Sequence, residues 1–417
     1  MIIVELEHEK SQFLKQWNGE PSLVYPIWVD LECHPMNTDV SFLYARFQDG
    51  NEYILPFNHN DCMTLDIDLS VSRQPKKAYN KKGLLQTNLG IQNMHDVQTD
   101  LYFNDNRTID VESFISPLTG FYHRIGVRDN LGKIIPIIKW YEVLHQLTQS
   151  MTLTIYHNWV DHTMIPLLSD IERIGVRVVS ENFIDKWPAS SKHLKGDIVY
   201  TEYNPYTATS RPSNRHGGVN YAALNKHDGT RDIFIPRDNK IFLQFDYDAY
   251  HVRIIGKLIG YDLPTTFVHQ WLADQYGCTY DESKGITFKI LYGGVTDEYK
   301  HIPFFVQVDT YINELYEQSL KLGYVETQQK QRIYLDRIEN VSPTKLFNYL
   351  LQATETEYNV ELMKRLTEFD LVLYAYDAFF FEYDKNGSTD KATKIKNILE
   401  SNGFPVKVSW GYTLNEL

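Results

Sequence analysis

Lys284, Phe288 and Tyr292 recur every four residues in DESKGITFKILYGG, Asp281 to Gly294. Each four-residue step turns only about 40° around a helix axis. The spacing therefore predicts a helix carrying an ammonium, a ring and a phenol in one stripe. The pair Gly293 and Gly294 predicts where that helix ends. Taken alone, the stripe is an amphipathic face with a lysine at its rim. Its neighbours argue for more. QFDYDAYHVRIIGKL (Gln244 to Leu258) lies upstream and LVLYAYDAFFFEY (Leu371 to Tyr383) downstream, each an apolar, strand-like run interrupted by aspartate. Asp246 follows the β-rich IFLQF, which sets its carboxylate at a strand end. Asp377 falls between LVLYAY and FFFEY, at or near a hairpin tip. A single turn aspartate is usually satisfied by local backbone, but two at these flanks around one helix point to a shared site.

The 417 residues suffice for two or three domains with real cores. With 43% hydrophobic and 23% charged residues, the composition is that of an ordinary globular protein. The N-terminal MIIVELEHEKSQF has acids where a signal peptide needs a basic start, and no apolar run reaches the length of a membrane span. A cytoplasmic location without membrane contact is the expectation. Cys33, Cys62 and Cys278 are far apart and lack the paired spacing of a zinc site, as expected of thiols in a reducing compartment. The net charge of −13 argues mildly against a nucleic-acid partner. Basic residues nevertheless gather at Arg73 to Lys82, Lys186 to Lys195 and Arg211 to His216, and a protein that binds a duplex needs only a positive track beneath it.

Order, spacing and chemistry together resemble motifs A, B and C of the family A (polymerase I type) DNA polymerases, over most of residues 165 to 417. The resemblance implies that Asp246 and Asp377 hold two Mg²⁺ ions, one activating the primer hydroxyl and the other steadying the leaving phosphate. It gives Lys284 to the triphosphate, Phe288 to the nucleotide sugar and Tyr292 to the pocket near the templating base. TTFVHQWLADQYG (Thr265 to Gly277) resembles the other fingers helix, with His269 matching the histidine that reaches the incoming phosphates. In SPTKLFNYLLQ a Ser cap and Pro at the first turn predict a helix start, with Asn348 and Gln352 on one face. They look like the family's Asn and Gln pair, whose amides meet the minor-groove acceptors that all base pairs share. Arg211 resembles the arginine that follows the thumb and touches the primer terminus, and Arg231 matches a position before motif A.

Three departures stand out. His251 occupies the motif A position of the family's glutamate, the steric gate against a ribose 2′-hydroxyl. An imidazole is bulky enough to block that hydroxyl but lacks a carboxylate's hydrogen bonds. Motif C, usually His-Asp-Glu, reads Tyr376, Asp377, Ala378. Tyr280 stands where motif B opens with arginine, which leaves Lys284 as the main phosphate cation of that helix.

MIPLLSDIERIGVRVVSENF (Met164 to Phe183) resembles the start of the family's thumb, but only a short run separates Gly175 from Arg211. A reduced thumb grips DNA through fewer phosphates, so low processivity or a processivity partner protein is expected. Near the N-terminus, PIWVDLECHPMNTDVSFLYARF (Pro26 to Phe47) reads as a strand with Asp30 and Glu32 on one side. It looks like the Asp-x-Glu motif of the DnaQ-like 3′–5′ exonucleases, which implies a two-metal hydrolytic site. The next motif has two readings. In one, Pro75 to Ile91 supplies Asn80 and has Leu84 where an aspartate is required; in the other, HDVQTDL (His95 to Leu101) supplies Asp100, with Asp96 in place of asparagine. The first fits the hydrophobic pattern better. Around Ile134 to Leu147, Glu142 is the only acid, so an exonuclease fold with a weakened or lost site is expected.

The expected fold is an α/β multidomain chain: an N-terminal ribonuclease-H-like exonuclease fold, then a right-hand polymerase with palm, fingers and a reduced thumb. The expected boundaries are 1–150 (exonuclease-like), 151–205 (thumb), 206–262 (palm, motif A), 263–338 (fingers, motif B) and 339–417 (palm, motif C). Its partners would be primer-template DNA and dNTPs. Brevity and missing parts suggest a phage origin, hence an infected bacterial cell. A single-subunit RNA polymerase shares the palm but needs a small gate residue, and His251 is large. A catalytically dead DNA-binding scaffold is opposed by the joint presence of Asp246, Lys284 and Asp377.

Overall fold

The computed structural model describes residues 1–103, 131–149, 151–214, 219–265 and 267–417. The last two residues of the basic run Arg211 to His216 lie outside them. The chain forms two compact units, one of residues 1–204 and 214–219, the other of 205–213 and 220–417. Residues 151–204, read from sequence as a thumb, therefore belong with the N-terminal unit.

In the first unit, β1 (Ile2–Ile3), β2 (Ser22–Trp28), β3 (Val40–Phe47), β4 (Glu52–Pro56), β5 (Lys76–Ala78) and β6 (Met94–Asp96) form one sheet in the order β1-β4-β3-β2-β5-β6. β3 runs antiparallel to β2 and β4, whereas β5 and β6 run parallel to β2. β2 is nearly continuous in apolar residues because both of its faces are covered. Val24, Leu43, Ala45 and Tyr53 face one way, onto Phe13 and Trp17 of α1 (Glu7–Gly19). Tyr25, Ile27, Phe42 and Tyr44 face the other way. They join a cluster with a helix spanning Ile134–Gln149, through Ile137, Trp140, Tyr141 and Leu144. The alternation is the strand period of two written into packing. Trp17 is fully buried and its indole N–H donates to the Leu69 carbonyl at 3.0 Å, so Trp17→Ala removes both volume and a satisfied polar contact, at a cost of roughly 3–5 kcal/mol.

Asp30 and Glu32 do not lie on a strand, contrary to the sequence reading. β2 ends at Trp28, and both acids sit exposed in the bend that follows. The Asp30 carboxylate accepts the Glu32 backbone N–H at 2.8 Å, and Glu32 pairs with Lys192 at 3.5 Å. A short-range turn bond has captured the first acid.

Three short helices, α2 (Lys81–Leu85), α3 (Val97–Tyr102) and, after the helix 134–149 (α4), α5 (Ile155–Trp159), are followed by one π-helical turn, Val160–Met164, and α6 (Ile165–Ile174). Two lysines of α2 are buried against this last stretch: Lys81 Nζ lies 3.2 Å from Asp161 and Lys82 Nζ 2.6 Å from Glu172. These pairs tie residues 151–204 to the sheet.

In the second unit a four-stranded antiparallel sheet has the order β8-β9-β7-β10, where β7 is Lys240–Tyr247, β8 Leu371–Ala375, β9 Ala378–Asp384 and β10 Val406–Gly411. Helices α7 (Tyr250–Ile259), α8 (Val268–Tyr276), α9 (Tyr280–Gly293), α10 (Pro303–Leu322) and α11 (Pro343–Met363) accompany it. α9 starts on a capping box of Thr279 and Glu282 and stops where Gly294 takes φ of 103°, as the glycine pair predicts. α11 starts on the Ser342 cap with Pro343 in the first turn. Among the described residues, no helix is long and apolar enough to cross a membrane.

Candidate functional site

β7 is the middle of its sheet, and its register sets Asp246 directly opposite Ala378 of β9 and Lys407 of β10. Asp377 precedes Ala378 in the two-residue turn between β8 and β9, so the pairing brings the two carboxylates to one end of the sheet. The turn is held against strain. Tyr376 has φ of 60°, a region that favours glycine and costs other residues about 1–3 kcal/mol. Its carbonyl accepts from Asn359 Nδ2 at 2.7 Å, and the Arg211 guanidinium lies 3.5 Å from its ring centroid. The Asp377 carbonyl also accepts the Tyr247 N–H at 3.2 Å.

Asp246 and Asp377 line a cleft of about 300 Å³ together with His251, His269, Lys284, Phe288, Tyr292 and Arg211. Burial, and then the charge of Asp377, push the Asp246 carboxyl up to about 7. Burial, and then the charge of Glu355, also raise Asp377. Among the described residues neither carboxylate takes part in an ion pair. Two carboxylates on one cleft, the charge of Asp377 opposing that of Asp246, form an all-oxygen donor set, and that is the chemistry a hard divalent cation such as Mg²⁺ neutralises.

The opposite wall is α9. Phe288 and Tyr292 stack with parallel rings, centroids 5.9 Å apart, and are both partly exposed to the cleft. Lys284 is loosely held: its ammonium lies 4.4 Å from the Tyr280 ring centroid and 3.9 Å from Asp281, so it can turn to an anion at little cost. Tyr280, which stands where arginine was expected, thus supplies a platform for the lysine. His269 on α8 is buried, and its Nδ1 has no hydrogen-bond partner.

His251, in the first turn of α7, has the Tyr292 hydroxyl 2.6 Å from Nδ1 and Glu355 3.2 Å from Nε2. Asn348 donates to the Tyr292 carbonyl at 3.4 Å, and Gln352 lies one turn further along α11, half-buried. Arg231 does not line the cleft; its Nε donates to the Leu224 carbonyl at 3.1 Å.

Sequence reasoning missed Glu355, Asp248 and Lys407. Glu355 is 1% exposed and also pairs with Arg211 Nε at 3.1 Å. Its only signal was an acid in a largely buried helix. Asp248 holds Lys407 at 2.6 Å and Arg253 at 2.9 Å, fixing Lys407 at the cleft edge.

In the first unit, Asp100 is buried on α3 with its carboxylate 2.7 Å from His95 Nε2. The main-chain N–H of Asp96 donates to Asp161 at 2.8 Å. Asn80 caps α2, and Leu84 is part of the apolar core. The acids Asp96, Asp100 and Asp161 are thus drawn together around His95, while Asp30 and Glu32 have no hydrogen bond or ion pair to them among the described residues.

No family model matches the sequence, and no curated protein matches it. Among solved structures the chain is similar to the POL domain of Pol1 from M. smegmatis, in a complex with DNA primer-template and dNTP. The identity is 13%, the TM-score is 0.72, and 100% of each chain is covered. At that identity the likeness shows a shared fold.

Proposed function

We propose that this chain is a template-directed DNA polymerase of the polymerase I type, adding dNTPs to a primer 3′ end in DNA replication. The observation that carries the reading is the pair Asp246 and Asp377, set at one end of the sheet, lining one cleft and free of ion pairs among the described residues, with Lys284, Phe288 and Tyr292 on the same cleft. The solved structure of similar fold, itself complexed with primer-template and dNTP, supports it.

In this reading Asp246 and Asp377 hold two Mg²⁺ ions, which when bound activate the primer hydroxyl and offset charge on the phosphates. The remaining work belongs to the chain. Lys284 takes the triphosphate from its tyrosine platform, and His269 offers its free Nδ1 to the same phosphates. Phe288 and Tyr292 bound the sugar and base, and His251, fixed by Tyr292 and Glu355, stands against a 2′-hydroxyl. Asn348 and Gln352 read the minor groove by shape, and Arg211 meets the primer terminus. Arg231 serves the segment before β7 by holding the Leu224 carbonyl. Palm, fingers and a reduced thumb describe this division of labour, with a partner protein supplying grip.

The first unit we read as a ribonuclease-H-like 3′–5′ exonuclease fold whose activity is weak or lost, a reading supported by its mixed sheet ordered β1-β4-β3-β2-β5-β6. Asp30 and Glu32 are turn residues, Leu84 is core, and Asp100 is engaged by His95. A phage source, and with it an infected bacterial cell, belongs to the same reading. Primer extension with Mg²⁺ and dNTPs tests the proposal: extension by the parent and its loss in Asp246→Asn support it, and equal extension by both contradicts it.

A further inference from the structure

His95, Asp161 and His162 meet in the first unit, far in sequence from the polymerase motifs. Nδ1 of His95 lies 3.1 Å from Oδ2 of Asp161, and Nδ1 of His162 lies 3.4 Å from the same oxygen. All three donor atoms are within 4.8 Å of one another. Ligands bound at about 2.0–2.1 Å to a common ion are separated by roughly 3.0 Å along an octahedral edge and roughly 3.4 Å along a tetrahedral one. The two histidine–aspartate pairs that share Oδ2 have those separations.

Three independent features fit a metal site. The first is the support behind each ligand. His95 turns its Nε2 to the buried Asp100 at 2.7 Å, the carboxylate–histidine arrangement that orients a metal-binding imidazole. Asp161 has one oxygen, Oδ1, engaged by Lys81 at 3.2 Å and by the Asp96 N–H at 2.8 Å. Its other oxygen, Oδ2, is buried and faces the two imidazoles. The second is the backbone. Asp161 and His162 lie in the π-helical turn Val160–Met164, a local widening that recurs at functional sites and here lets consecutive residues serve one point. The third is access. His95 and His162 line a cleft of about 790 Å³, and His162 is 59% exposed.

We propose that His95, Asp161 and His162 bind one divalent transition-metal ion of the Zn²⁺ type, leaving open coordination positions toward the cleft. Two imidazoles favour such an ion over Mg²⁺, which prefers oxygen. The nearby Lys81 ammonium opposes a second carboxylate-bound cation but leaves Oδ2 to this one.

The test is independent of the polymerase reading, because it uses other residues. Full-length protein is stripped with a chelator, kept in excess Mg²⁺, and titrated with Co²⁺ while visible absorption is recorded; Zn²⁺ displacement and metal analysis give the stoichiometry. The expected result is one Co²⁺ per chain, displaced by Zn²⁺. His162→Ala, at an exposed position and checked for folding by circular dichroism, is expected to weaken binding by at least roughly 100-fold, and Asp100→Asn by about 10- to 100-fold. Asp377→Asn is expected to bind as the parent does. Absence of stoichiometric uptake by the parent, full uptake by His162→Ala, or loss of uptake in Asp377→Asn would overturn the proposal.

Discussion

Glu355 Oε2 stands 3.2 Å from Nε2 of His251, the imidazole whose Nδ1 lies 2.6 Å from the Tyr292 hydroxyl. The carboxylate that the sequence reading missed beside His251 is therefore present, but it arrives from α11 and meets the ring. His251 thus has a neighbour at each ring nitrogen, and in the proposed reading its bulk stands where a 2′-hydroxyl would have to pass.

His251→Ala is expected to raise ribonucleotide use relative to deoxynucleotide use by about 10-fold or more, within the range that one hydroxyl's fit to a pocket can be worth. Glu355→Gln is expected to loosen the ring and move selectivity the same way by less. Single-nucleotide incorporation with rNTP and dNTP measures both, and unchanged discrimination in His251→Ala would place the gate elsewhere, for instance on Phe288.

Lys284→Ala is expected to lower incorporation at saturating dNTP by roughly 10²-fold or more, the scale of losing one positioned donor to developing negative charge. Its weak attachments to Tyr280 and Asp281 mean that little folding stability is at stake. A rate equal to the parent's would set the lysine outside the reaction.

Lys82→Ala is expected to destabilise the protein by roughly 3–5 kcal/mol, because it leaves Glu172 buried without its cation, with Gln86 and the Tyr203 N–H still donating to it. Urea unfolding followed by circular dichroism reads the change. A loss below about 1 kcal/mol would mean that the pair behaves like an exposed one.

The parent is expected to degrade a mismatched primer 3′ end slowly or not at all without dNTPs, since Asp30 is spent on a turn bond and Asp100 on His95. Rapid digestion that disappears in Asp30→Ala would contradict this, and Asp100→Ala would then show whether the His95 to Leu101 segment takes part.

What was legible in the sequence is what local rules govern. The stripe of α9, its glycine stop, the Ser342 cap of α11 and the two strand-end aspartates all follow from spacing and capping. What was not legible depends on contacts between distant segments. Glu355 is recognisable as a site acid only when α11 packs beside α7, and Asp161 only when α2 and β6 present Lys81 and His95 to it. Asp30 failed for the opposite reason: a local turn bond overrode the strand pattern. Arg231 matched by order along the chain, yet its guanidinium holds a neighbouring carbonyl rather than the cleft.

The most direct measurement is primer extension on a DNA template with Mg²⁺ and dNTPs, run beside a DNA-binding assay for the parent, Asp246→Asn and Asp377→Asn. Each substitution removes charge but keeps shape, and several kcal/mol of transition-state stabilisation should go with it, roughly 10²- to 10³-fold in rate. The account expects template-directed extension by the parent and near-complete loss in both variants with DNA binding retained. A parent that binds primer-template but adds no nucleotide, or variants that extend as the parent does, would contradict it.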